Sequence, residues 1–200
     1  MGISAQQFQQ LQDRVQNGKR VPRRVFEAVQ PRRAHERVLG IDPSLRGTGF
    51  GVIQCSRRTS ELIAEGTIKC APGWERTRCL ARIAEVLRET IRSFQPTVCV
   101  IESLFYAQNL QTALIMGEAR GASLVPVAEA GLEVYEIAPR KVKQAIVGYG
   151  AAQKFAVAKM VQRMLQLAAP PAPDAADALA LALAYAQESR SPLARFSRKL

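Results

Sequence analysis

The sequence predicts a mixed α/β domain with a five-stranded sheet flanked by helices. Three observations predict it. Short apolar runs of strand length, VLGID and TVCVIES, each end in a carboxylate. Three strand-like segments come first, joined by Gly- and Ser-rich turns. After them strands alternate with helical patterns, the order that builds parallel pairs through crossovers.

VLGID (38–42) reads as the first strand, SLRGTG as a turn, GFGVIQC as the second strand and LIAEGTIKC as the third, with a hairpin at SRRTSE. These three form an antiparallel meander. WERTRCLARIAEVLRETIRSF follows, where Leu80, Ile83, Leu87 and Ile91 recur at helical spacing. TVCVIES (97–103) is a continuous apolar run suited to a parallel strand covered on both faces. NLQTALIMGEARGASLVPVAEAG reads as a helix that Pro126 kinks or ends. LEVYEIAP is the fifth strand. RKVKQAIVG is helical, GYGAAQK a loop, FAVAKMVQRMLQLA a further helix, and PPAP breaks the chain before the Ala- and Leu-rich helix DAADALALALAYAQ.

Composition narrows the classes. The 200 residues are 48% apolar and 22% charged, as in a globular domain. No apolar run reaches the ~18 residues of a membrane span. The start lacks the apolar stretch of a signal peptide, so a cytoplasmic location is expected. Cys55, Cys70, Cys79 and Cys99 show no CxxC spacing and read as reduced thiols rather than a zinc site. His35, in an arginine-rich stretch, reads as a solvated surface residue. The net charge of +11 is uneven: residues 1–38 carry 8 basic and 3 acidic side chains, and residues 188–200 carry 4 and 1. The expected organisation is a basic, mostly flexible extension over 1–36, a catalytic domain over 37–188 and a basic tail over 189–200. Basic ends of this kind suit a polyanion such as nucleic acid.

Four carboxylates carry the candidate chemistry. Asp42 and Glu102 sit at the C-terminal ends of strands that can lie side by side, the end of an α/β sheet where sites form. Asp174 and Asp177 are three apart at the start of the last helix, hence on one face. Each also has a plainer reading: Asp42 opening a turn, Glu102 ending a strand in solvent, Asp174 and Asp177 capping a helix. One arrangement explains all four. If the last helix crosses the sheet near the first and fourth strands, the carboxylates converge, repel one another, and require a divalent cation. Mg²⁺ prefers such hard oxygen ligands. Two Mg²⁺ per site, with Mn²⁺ as a substitute, would activate a water and stabilise the leaving oxygen of a phosphodiester. Lys154, after a Gly-containing loop, is placed to meet a phosphate. Phe105 and Tyr106 follow Glu102 and can stack on unpaired bases. Gly117, Ala119, Gly121 and Ala122 make one helix small-sided, for close packing either with a partner helix or with its own sheet.

GIDPSLRGTGFGVIQ, VIESLFYAQN, ARGASLVPV, GYGAAQK and PDAADALALALAYA, in this order, resemble the RuvC-type Holliday junction resolvases over residues 37–188. The resemblance implies an RNase H-like fold, a homodimer, and paired metal-dependent nicks that resolve four-way DNA junctions in recombination and repair. It maps the catalytic carboxylates onto Asp42, Glu102, Asp174 and Asp177, the junction-facing phenylalanine onto Phe105, and basic backbone contacts onto Lys143 and Lys154. A branch-migration motor complex is a further partner for such proteins. Ser44 and Leu45 depart from the family's usual residues after the first DP. A rival reading is a junction-binding RNase H-like module with weak or lost catalysis; another is an actin-like phosphotransferase, for which the chain is too short.

Overall fold

The computed structural model describes residues 36–56, 58–103, 109–190 and 197–200, all within the compact unit Ala34–Leu200. The basic extension, His35, Phe105 and Tyr106 lie outside the described residues. The chain order is β1 (Arg37–Asp42), β2 (Gly47–Cys55), β3 (Ser60–Lys69), α1 (Arg76–Phe94), β4 (Val98–Glu102), α2 (Leu110–Glu129), β5 (Glu133–Ile137), α3 (Pro139–Val147), α4 (Lys154–Met164), α5 (Pro173–Arg190) and β6 (Arg198–Lys199). The strands stand in the order β3-β2-β1-β4-β5-β6. β1, β4 and β5 run parallel, and the other pairings are antiparallel.

Side-chain alternation along β1 and β4 sorts the two faces. Leu39, Ile41, Cys99 and Ile101 point into a core shared with Ile83 and Leu87 of α1 and Ala119 and Val127 of α2. Val38, Val98 and Val100 point the other way, into a core shared with α3, α4 and α5. The same alternation carries Asp42 and Glu102 onto the α5 face.

α5 explains why that face works. It is apolar nearly all round, the pattern of a fully buried helix, and Ala175, Ala176, Ala178 and Leu179 through Ala186 are buried. Its first turns lie on Gly40, Gly49 and Gly51. A Cβ at Gly40 would strike the Ala178 carbonyl, one at Gly49 the Asp174 carbonyl, and one at Gly51 the Leu179 side chain. Glycine is required here by close approach, not by turn geometry.

Four details differ from the sequence expectations. The sheet has six strands, not five: residues 189–200 include the end of α5 and the edge strand β6. β6 is held by Leu200 N–H to Val134 O (3.0 Å) and by Ser197, whose N–H and Oγ both reach Glu188 at 2.9 Å. Main-chain pairing over two basic residues leaves no apolar pattern to read. α2 runs three residues past Pro126 before ending at Glu129. α4 starts at Lys154 and stops at Met164, where Gln166 turns left-handed (φ 53°) and Leu167 N–H bonds to Gln162 O. Finally, Ser44 lies outside the left-handed region. Its N–H and carbonyl are both bonded by the buried Thr48 hydroxyl, so the β1–β2 turn forms without glycine.

Candidate active site

Register builds the site from β1 outward. Ile41 lies beside Ile101 in the parallel β1–β4 pair, so Asp42 and Glu102, one residue further on, end neighbouring strands on one face. Across the antiparallel ladder Asp42 faces Gly49, and the Asp174 main chain rests on Gly49. The first turn of α5 is thereby set over the end of β1. Asp174 Oδ2 comes to the rim at Gly47, where a Cβ would stand 2.9 Å from it.

The electrostatics follow. Burial, then the charges of Glu102 and Asp177, push the Asp42 carboxyl up to about 8. Burial also raises Glu102, which Asp177 reinforces, while its hydrogen bond with Asp42 and the positive charges of Lys154 and Lys143 act against the rise. Burial and neighbouring negative charge thus bias both strand-end carboxyls toward the protonated form. Lys154 Nζ lies 2.8 Å from Asp177 Oδ2. Its own pKa rises through that bond and the fields of Asp177, Asp42 and Asp174.

Asp42, Glu102, Asp177 and Lys154 thus form one interacting group, Asp174 borders it, and Lys143 acts on Glu102 through its charge. Phe105 falls outside the described residues. Among the described residues no three acidic, histidine or cysteine side chains are gathered tightly enough to ligate an ion as they stand. Asp177 is held instead by the Lys154 ammonium. The donor chemistry nonetheless fits a hard divalent cation, because four carboxylates border one partly buried edge, where burial raises Asp42 and Glu102 and a lysine already supplies positive charge. Thr67 Oγ1, on the strand facing Gly49, is buried with no hydrogen-bond partner.

Sequence reasoning missed Arg120. It reaches from α2 to the Glu102 carbonyl and, at 2.9 Å, to Glu136 of β5. The pair is largely buried, 12% and 18% exposed. Its one signal was a lone arginine among the small residues of EARGAS.

A sheet in the order 3-2-1-4-5-6, with carboxylates at the ends of its central parallel strands and an Ala-rich helix seated on glycines, defines an RNase H-like α/β domain. The family model "Crossover junction endodeoxyribonuclease RuvC" matches residues 38–185, and the chain belongs to that family. It is 44% identical over 167 residues to the crossover junction endodeoxyribonuclease RuvC of Bordetella avium (strain 197N), covering 81% of this chain and 92% of that one. It is 44% identical over 157 residues to the protein of the same name from Shewanella amazonensis, covering 78% and 90%. Among solved structures, T. thermophilus RuvC in complex with Holliday junction substrate superposes with a TM-score of 0.75 at 34% identity, covering 83% of this chain and all of that one. The yeast mitochondrial Holliday junction resolvase Ydc2 shares the fold at 12% identity and a TM-score of 0.55.

Proposed function

We propose that the chain resolves four-way DNA junctions by paired hydrolytic nicks, acting as a homodimer. The observation that carries the reading is the meeting of Asp42, Glu102 and Asp177 with Lys154 at the ends of two parallel strands, in a chain of the RuvC family. Asp42, Glu102, Asp174 and Asp177 would hold the divalent cations, Mg²⁺ or Mn²⁺. Two such ions, when bound, would supply an activated water and charge stabilisation for the leaving oxygen, so that the products carry a 5′-phosphate and a 3′-hydroxyl. Lys154 leaves Asp177 for the incoming phosphate, which frees Asp177 Oδ2 to act as a ligand. DNA binding and cation binding are coupled through that exchange. Lys143 adds positive charge beside Glu102, and Phe105 supports an unstacked base.

The second copy docks on α2. Ala119 is buried against its own sheet, whereas at Gly117 and Gly121 an added Cβ meets nothing. Gly117 and Gly121 share an exposed stripe with Leu110 (77% exposed), Leu114 (57%) and Val125 (49%). An apolar stripe with two gaps on a long helix suits the same helix of a partner. Gly121→Leu should leave the protein folded but monomeric in sedimentation. On the family resemblance alone, the proposal includes a branch-migration motor as delivering partner and a cytoplasmic site of action; no described helix is long and apolar enough to cross a membrane.

The test is incubation with labelled four-way junction and with linear duplex, with and without Mg²⁺. Symmetric nicks in the junction alone, and only with the cation, support the reading. Equal cutting of linear duplex, or none of either, refutes it.

A further inference from the structure

The positive charge of the described domain is not evenly satisfied. α1 carries its arginines in partnerships: Arg76 with Glu118, Arg82 with Glu85, Arg88 with Glu129 and Arg92 with Glu89, while Arg78 lies 4.0 Å over the Trp74 ring. Residues 139–164, by contrast, hold Arg140, Lys141, Lys143, Lys154, Lys159 and Arg163 and no acidic residue at all. Of these six, only Lys154 makes an ion pair among the described residues, and Lys143 acts on Glu102 through its charge.

α4 arranges part of this charge in a line. Val157 and Val161 face the core with α5. Phe155, Lys159 and Arg163, at four-residue spacing, lie on the opposite side, exposed. Phe155 is 69% exposed, with Lys159 Nζ standing 5.6 Å over its ring. In the loop before α4, Tyr149 is a second exposed aromatic, at 56%. Beyond the contact with Lys159, such a large ring left in water buries little surface within the chain.

The line starts at the site, because Lys154 is the first residue of α4 and touches Asp177. From Lys154 to Arg163 a helix climbs about 14 Å at ~1.5 Å per residue. Lys159 and Arg163, four residues apart, stand ~6 Å apart along it, close to the distance between neighbouring phosphates of one strand. We propose that Phe155, Lys159 and Arg163 form a track for one duplex arm of the junction, leading its sugar–phosphate backbone away from the phosphate held at Lys154. Lys159 and Arg163 meet phosphates, and Phe155 packs against deoxyribose while holding Lys159 upright. The inference rests on the junction-cleaving reading and extends it to the DNA beyond the cut.

The experiment measures junction affinity against NaCl concentration, in EDTA, for the full chain and for Lys159→Gln/Arg163→Gln. Each lost phosphate contact makes the slope of log K against log salt shallower by about 0.9, and the homodimer loses two contacts in each protomer, so the double variant should show a slope shallower by about 3.6 and an affinity at least tenfold weaker at low salt. Phe155→Ala should weaken affinity roughly threefold with the slope unchanged, since a ring releases no counterions. Arg82→Gln/Arg92→Gln, which removes the same charge from α1, should leave the slope as it is. Thermal unfolding of the variants checks that these exposed changes leave the fold intact. An unchanged slope in the α4 double variant, or an equal flattening in the α1 control, overturns the track. A wild-type chain that binds no junction overturns the cleavage reading and the track together; one that binds and cuts, beside an α4 variant of unaltered slope, overturns the track alone.

Discussion

Asp42 and Glu102 end adjacent parallel strands on the same face of the sheet and are joined there by a hydrogen bond, with Asp42 pushed up to about 8. Two anions at that separation in a partly buried edge are stable only with a proton or a cation between them. The predictions below follow from this pair and from the elements that hold it.

Without metal, Asp42 binds its proton more tightly in the folded chain than in the unfolded one. That contribution to stability is complete below about pH 4 and is lost as the pH rises through 8. In EDTA the wild type should therefore lose stability from pH 4 to 8 relative to Asp42→Asn, by roughly 2–4 kcal/mol at the upper end. Urea unfolding at pH 4, 6 and 8 measures it, and added Mg²⁺ should close the gap for the wild type only. Parallel curves for the two proteins would contradict the raised Asp42 carboxyl.

Gly49→Ala places a methyl on the Asp174 carbonyl, a main-chain group that cannot swing aside. It should cost about 3 kcal/mol or more in unfolding experiments, in the range of forced overpacking, and abolish cleavage by lifting the first turn of α5. Gly73→Ala, where an added Cβ meets nothing, should change stability by less than about 0.5 kcal/mol.

Removing Arg120 leaves Glu136 as a buried carboxylate without its closest cation and frees the end of β4. Arg120→Met should destabilise by about 3 kcal/mol, while Arg120→Met with Glu136→Leu should recover most of that loss. Cleavage should stay low in both, because the Glu102 carbonyl has lost its anchor in each. Recovered cleavage in the double variant would show that Arg120 serves packing alone.

Lys154 stands where a cation would otherwise serve Asp177. Lys154→Ala should bind Mn²⁺ more tightly than the wild type without DNA, by about threefold to tenfold in calorimetry, since a competing charge is gone. Junction cleavage should fall at least a hundredfold, because the phosphate has lost its partner. Weaker Mn²⁺ binding by the variant would contradict the exchange of Asp177 for phosphate.

What the sequence made legible is the part of the fold that rests on burial. Apolar runs closed by Asp42 and Glu102 announce central strands, and the period of Ile83, Leu87 and Ile91 announces α1, because each pattern reports a buried face. Chain order also suggested that the strands ending in Asp42 and Glu102 can lie side by side, while the crossing of α5 over them stood only as a condition. Which small residues of α2 pack on the sheet was not legible, since Ala119 is buried and Gly121 exposed on one helix. Other features leave no local trace. β6 is made by main-chain bonds under basic side chains, and the end of α4 is set by a left-handed Gln166 where no glycine marks it. The seat for α5 depends on Gly40, Gly49 and Gly51 meeting a helix more than a hundred residues later, and Arg120 acts through Glu136 and a carbonyl from two other elements. Long-range contacts of that kind become visible only once the sheet is assembled.

The most direct measurement compares wild type and Asp42→Asn on a labelled four-way junction with Mg²⁺, scoring binding by gel shift and strand scission on a denaturing gel. The account predicts paired nicks from the wild type, and from the variant near-normal binding with cutting reduced at least a thousandfold. Scission by pure Asp42→Asn protein at a rate near that of the wild type would contradict it.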